Sequence, residues 1–143
     1  MPILRTPAEI KGLLGRVKTI AVVGLSGNPD RDSYRVSQFM KERGCRVIPV
    51  NPKEKEILGE RVYPSLADLP PDLRGAVDLV NVFRKSEDAL AVTHEAVAAK
   101  LPAIWFQLGV ATPEAIAEAN RAGLTVVADS CLMVAHRALL KQR

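Results

Sequence analysis

No stretch of this 143-residue chain approaches the ~20 consecutive apolar residues that a helical membrane span requires. The opening residues, Met1-Pro2-Ile3-Leu4-Arg5, hold no apolar core of an export signal, so a cytoplasmic chain is expected. Aromatic residues are scarce, with three Phe, two Tyr and one Trp, and no run of five or more Lys and Arg occurs. With a net charge of only +4, neither stacking platforms nor a concentrated basic stripe is available, which argues against nucleic acid as a partner. The two cysteines, Cys45 and Cys131, have no metal-ligand spacing and are expected as thiols. Cys45 reads as structural. Cys131, at the start of a helix, reads as a small apolar residue, with reactivity as the alternative. The two histidines, His94 and His136, fall in helical stretches and read as helix-surface residues. No Ser/His/Asp set, no carboxylate pair at strand ends and no metal cluster appears, so a catalytic constellation is not expected. Asn and Gln are few, four and three, while Arg and Pro are plentiful, a composition that leans toward a heat-tolerant source.

What is present is an alternation of short apolar runs with amphipathic helices. Thr6-Pro7-Ala8-Glu9 opens a first helix as a capping box with proline at its first position, and Ile10, Leu13, Leu14 and Val17 form its inner stripe. The almost wholly apolar run 19–24 then reads as a central parallel strand. A helix follows from about Ser33 to Arg43, with Val36, Phe39 and Met40 facing inward and Gly44 ending it. Further strands are expected at 46–50, 62–63, 77–83, 103–106 and 124–128. Ser86 is expected to cap a helix reaching Lys100, a helix starts at Thr112-Pro113-Glu114, and Asp129 or Ser130 is expected to cap the last one. Strands joined by helical crossovers lie parallel with right-handed connections. The expectation is therefore one doubly wound, three-layer α/β domain over residues 1–143. Its mainly parallel sheet has five or six strands in the order 3-2-1-4-5, with a sixth beyond.

In such sheets ligands sit outside the carboxyl ends of the strands, where the strand order reverses. Four segments reach that place. In Gly24-Leu25-Ser26-Gly27-Asn28-Pro29-Asp30 two glycines permit a tight turn, and the next helix aims its free N–H groups and positive dipole end at the same point. Ser26, Asn28 and Ser33 add side-chain donors, and Arg31 and Arg35 add positive charge, so the loop and helix read as an anion cradle. A G-x-G-x-x-G fingerprint starting at Gly24 would need glycine at Ser26 and Pro29, which weakens the usual NAD mode. The second segment, Asn51-Pro52-Lys53, lacks the acidic residue that an NAD ribose wants. Lys53 suits a ribose phosphate instead, such as the 3′-phosphate of coenzyme A or the 2′-phosphate of NADP. The third, Val82-Phe83-Arg84, can flank a cofactor edge and reach phosphate, and the fourth places Gln107 at a strand end.

Taken in order, Gly24-Leu25-Ser26, the run from Gly44 to Pro52, Val82-Phe83-Arg84 and Trp105-Phe106-Gln107-Leu108-Gly109 resemble the stand-alone coenzyme A-binding domain family. That family is similar to the N-terminal domain of the succinyl-CoA synthetase alpha subunit. The resemblance spans roughly Thr6 to Cys131. It implies a Rossmann-like fold with coenzyme A across the strand ends, contacted by Gly24 to Ser26, by Asn51 to Lys53 and by Val82 to Arg84. The synthetase's phosphorylated histidine lies in a second domain, and neither His94 nor His136 sits in a Gly-rich loop of that kind. The expected function is a non-catalytic module binding coenzyme A or an acyl-CoA, with a homodimer or an unknown protein partner possible. The alternatives are an NADP-type reductase and one subunit of a split acyl-CoA ligase.

Overall fold

The structure is a computed structural model that describes residues 3–140. After helix α1 (Pro7–Arg16) comes strand β1 (Thr19–Val23), then α2 (Asp32–Glu42) and β2 (Arg46–Val50). A two-stranded antiparallel hairpin, β3 (Glu56–Ile57) with β4 (Glu60–Arg61), leads to α3 (Pro71–Ala76). The rest alternates regularly: β5 (Leu79–Val82), α4 (Ala89–Ala98), β6 (Ala103–Phe106), α5 (Pro113–Arg121), β7 (Thr125–Val127) and α6 (Leu132–Leu139). The main sheet has five strands, all parallel, in the order β2-β1-β5-β6-β7. The order therefore reverses between β1 and β5, which fixes where a ligand crevice belongs.

The expected third strand at 62–63 shrinks to one bridge, between Tyr63 and Val50. The Tyr63 carbonyl accepts from the Asn51 amide at 2.9 Å, and the Tyr63 amide donates to the Pro49 carbonyl at 3.1 Å. Pro49 has no N–H to offer a neighbour, so β2 stays an edge strand. On the other edge, Ile3 bridges Val126.

Side chains along each strand alternate between two cores, as a sheet covered on both faces demands. Ala21, Val23, Val80, Val82, Ile104 and Phe106 pack under α3, α4 and α5. Ile20, Val22, Leu79 and Trp105 pack under α1, α2 and α6, against Leu13, Leu14, Val36, Met40 and Leu132. The capping box at Thr6 and Glu9 forms as expected.

Two expected caps do not form. Ser86 lies in a short 3-10 turn, Ser86–Asp88, and its side chain caps nothing, so α4 begins only at Ala89. Helix α6 begins after Cys131, and neither Asp129 nor Ser130 caps it. The Asp129 carboxylate instead accepts from the Gly109 amide at 2.9 Å, and Asp129 adopts a φ of 57°. The short helix α3 carries no buried residue and was not legible as an apolar stripe.

His136 also departs from expectation. It is buried, packs edge-on against Phe39 with ring centroids 5.7 Å apart, and its Nδ1 has no partner. The cause is that α6 lies on α2, so the helix face carrying His136 turns inward. Two more unpartnered polar side chains share this layer: Ser37 on α2, and Asn81 on β5 between Val22 and Trp105.

Candidate functional site

The carboxyl ends of β1, β2, β5 and β6 open onto a crevice of about 1190 Å³. That exceeds the roughly 300–1,000 Å³ of a drug-sized pocket, so there is room for a larger ligand. Gly24 stands at its base with a φ of 89°, and a Cβ there would come within 2.1 Å of the Phe83 carbonyl oxygen. Only glycine lets the ends of β1 and β5 approach this closely.

The loop after β1 satisfies most of its own amides. The Ser26 amide donates to Ser33 Oγ at 3.0 Å, the Asn28 amide to Ser26 Oγ at 3.0 Å and the Asp30 amide to Asn28 Oδ1 at 2.9 Å. The Gly27 amide is held at 2.9 Å by the Glu54 carboxylate. The exposed main-chain donors expected around Ser26 are thus already engaged. Among the described residues, the Asp32 and Ser33 amides in the first turn of α2 find no acceptor and both residues line the crevice, as do Met133 and Val134 in the first turn of α6, whose amides are likewise without one. A helix end of this kind combines free donors with a positive dipole end.

Of the residues singled out above, Gly24, Arg31, Ser33, Asn51, Pro52, Lys53, Phe83, Arg84 and Gln107 line the crevice. Leu25 and Val82 are fully buried in the cores. Ser26 and Asn28 shape the loop from behind. Asn51 works as a brace. Its Nδ2 donates to the Leu25 carbonyl at 2.9 Å and its Oδ1 accepts from the Lys53 amide at 2.7 Å, which ties the end of β2 to the β1 loop. Arg35 and Lys85 line the crevice as well.

The charges divide by whether they are tied. Arg35 pairs with Asp32 and donates to the Asp30 carbonyl at 2.7 Å, and Arg84 reaches Asp88 at 3.3 Å. Among the described residues Arg31, Lys53 and Lys85 have no ion-pair partner, and all three line the crevice. Untied cations and free helix amides both attract anions, and the crevice lining also holds two acids without an ion-pair partner among the described residues, Asp30 and Glu87. A profile of the CoA binding domain family matches residues 18–137. The chain belongs to that family.

Two relatives place this member. The chain is 44% identical over 129 residues to the uncharacterized protein YneT of Bacillus subtilis, covering 90% of this chain and 93% of that one. It is 41% identical over 61 residues to the alpha subunit of an ADP-forming acetate–CoA ligase of Pyrococcus furiosus, covering 42% of this chain but only 12% of the ligase subunit. A hypothetical protein from Pyrococcus horikoshii OT3 superimposes with a TM-score of 0.88 at 36% identity, covering 98% and 99% of the two chains. The resemblance to the CoA-binding region of ligase alpha subunits thus stands, and so does the Rossmann-like fold.

The opposite end of the crevice was not legible from the sequence. There Leu108, Val110, Cys131, Met133 and Val134 form the wall. Met133 and Val134 arrive from the far end of the chain because two long-range bonds bring the start of α6 to the sheet. Trp105 Nε1 donates to the Ser130 carbonyl at 2.8 Å, and Gln107 Oε1 accepts from the Leu132 amide at 3.0 Å. Cys131 is half-buried in this wall, whereas Cys45 lies away from the crevice with Sγ 3.8 Å from the Val17 carbonyl, and burial pushes its thiol pKa up. His94 is exposed and pairs with Glu118 at 3.7 Å. Among the described residues no group of three His, Cys, Asp or Glu is placed to hold a metal.

Proposed function

We propose that this protein binds coenzyme A, or an acyl derivative, across the strand ends and holds it without converting it. The pyrophosphate lies over the first turn of α2, where the Asp32 and Ser33 amides and Arg31 face it. Lys53 takes the 3′-phosphate. Phe83, with Arg84 and Lys85 beyond it, flanks the adenosine half, and the pantetheine arm runs toward Gln107. The observation that carries this reading is the pairing of acceptor-free α2 amides with untied Arg31, Lys53 and Lys85 in one crevice at the strand-order reversal. Holding rather than converting is supported by the location of both histidines outside the crevice lining.

Calorimetric titration tests the reading. Coenzyme A is expected to bind at least ten-fold more tightly than NADP. Clear affinity for NADP with none for coenzyme A overturns it. The likeness to the P. furiosus ligase subunit favours one second reading, a subunit of a split acyl-CoA ligase, and co-purification with a nucleotide-binding chain would support that reading instead.

A further inference from the structure

Among the described residues, the large hydrophobic side chains most open to solvent are Leu108, 65% exposed, and Val134, 51% exposed. Both line the crevice, at the end away from the untied cations, together with Val110, Cys131 and Met133. Exposed apolar side chains gathered in one cleft mark a surface that something apolar covers. Free coenzyme A ends in a thiol and gives this wall little to cover it.

A second, independent feature points into the same place. Gln107 is only 5% exposed, yet it lines the crevice. Its orientation is fixed by chemistry, because the Leu132 amide is a donor and requires the amide oxygen opposite it. The side-chain NH₂ is therefore left over. It has no acceptor among the described residues, and it is not sealed from solvent as the unpartnered Asn81 amide is. A nearly buried donor that only solvent reaches is free to pair with an acceptor on a ligand that displaces that solvent. The group it calls for is a carbonyl oxygen next to an apolar chain.

Resting on the coenzyme A reading above, we propose that the preferred ligand is an acyl thioester, its carbonyl held by Gln107 Nε2 and its acyl chain laid on Leu108, Val110, Met133 and Val134. The occupant is thus the tail of the same ligand whose phosphates sit at the charged end, because the two ends form one continuous crevice.

The test is calorimetric titration of the full chain with coenzyme A, acetyl-, butyryl- and hexanoyl-CoA, and S-butyl-CoA, which has the chain but no carbonyl. Affinity is expected to rise from coenzyme A through hexanoyl-CoA, by up to about four-fold per methylene (~0.8 kcal/mol for a buried CH₂). Butyryl-CoA is expected to bind more tightly than S-butyl-CoA. Gln107→Glu keeps an acceptor for the Leu132 amide but removes the NH₂ donor, so it should abolish the butyryl over S-butyl advantage. Val134→Asp and Leu108→Asp alter exposed positions that the fold tolerates, and each should flatten the chain-length series. Coenzyme A binding as tightly as every acyl form overturns this inference and leaves the coenzyme A reading standing. No heat with any of the five ligands overturns both. If the aspartate variants change the oligomeric state in sedimentation and leave the chain-length series intact, the wall covers a second copy of the chain, and the thioester inference is wrong.

Discussion

Lys53 and Gly24 show how single positions shape the crevice. Lys53 is exposed and untied, so replacing it should not disturb folding. If it meets the 3′-phosphate, Lys53→Glu weakens coenzyme A binding by about ten-fold, on the order of 1.4 kcal/mol, and has little effect on 3′-dephospho-coenzyme A. Titration of both ligands checks this, and an equal loss for both would remove Lys53 from the 3′-phosphate. Gly24 is different, because any side chain there meets the Phe83 carbonyl. Gly24→Ala combines an unfavourable positive φ with that clash and should cost about 2–4 kcal/mol of stability, read from urea unfolding. These two residues also mark what was readable in advance. The Gly24 turn and the Lys53 cation announce themselves by residue type and neighbours. The role of Asn51 does not, since its amide braces the loop through bonds to Leu25 and Lys53 that exist only once the chain has folded.

His136 belongs to the scale of elements, because it is buried by the way α6 lies on α2. Burial lowers its pKa from the ordinary 6.5, and the positive charge of Arg43 lowers it further. Arg43 itself stacks over Phe39, 4.2 Å from the ring centre, and Phe39 is the ring that His136 meets edge-on. The folded state therefore prefers neutral His136, while the unfolded chain takes up a proton near pH 6.5. The stability this contributes is complete above pH 6.5 and is lost as the pH falls below it, by at most about 1.4 kcal/mol per pH unit. Unfolding in urea at pH 7.5 and 5.5 should show this decline, and His136→Gln should remove it. Glu9 and Glu118, whose pKa values are lowered from 4.5 by hydrogen bonds to the Arg5 amide and to Arg121 respectively, lose their contributions only at lower pH and leave that window clear. At the same scale, Thr6 closes the capping box of α1, so Thr6→Ala should cost about 1 kcal/mol, seen as a lower Tm. That box was legible because its signal is local, four consecutive residues. The cap of α6 was not, because its donor, the Leu132 amide, finds Gln107 twenty-five residues away. For the same reason Met133 and Val134 gave no sign of joining the crevice.

Over the whole molecule, the doubly wound architecture and the place of the crevice followed from apolar runs separated by helix-length crossovers. The sheet order 2-1-4-5-6 of the expected strands is the order found, with the third reduced to the Tyr63 bridge. That reduction has a physical origin, since two residues beside a proline-containing edge make one bridge and no ladder. Ligand binding acts at this scale too. A ligand that binds only the folded chain stabilises it by about 2.7 kcal/mol at one hundred times its Kd. Coenzyme A at that excess should raise Tm by several degrees, and inorganic phosphate at the same concentration should raise it far less, since phosphate engages only the charged end.

The most direct measurement is the electron density of crystals grown with coenzyme A. The account predicts pyrophosphate oxygens within hydrogen-bonding distance of the Asp32 and Ser33 amides, and the arm of the ligand directed toward Gln107. Density that leaves this crevice empty while the ligand lies elsewhere on the protein would contradict it.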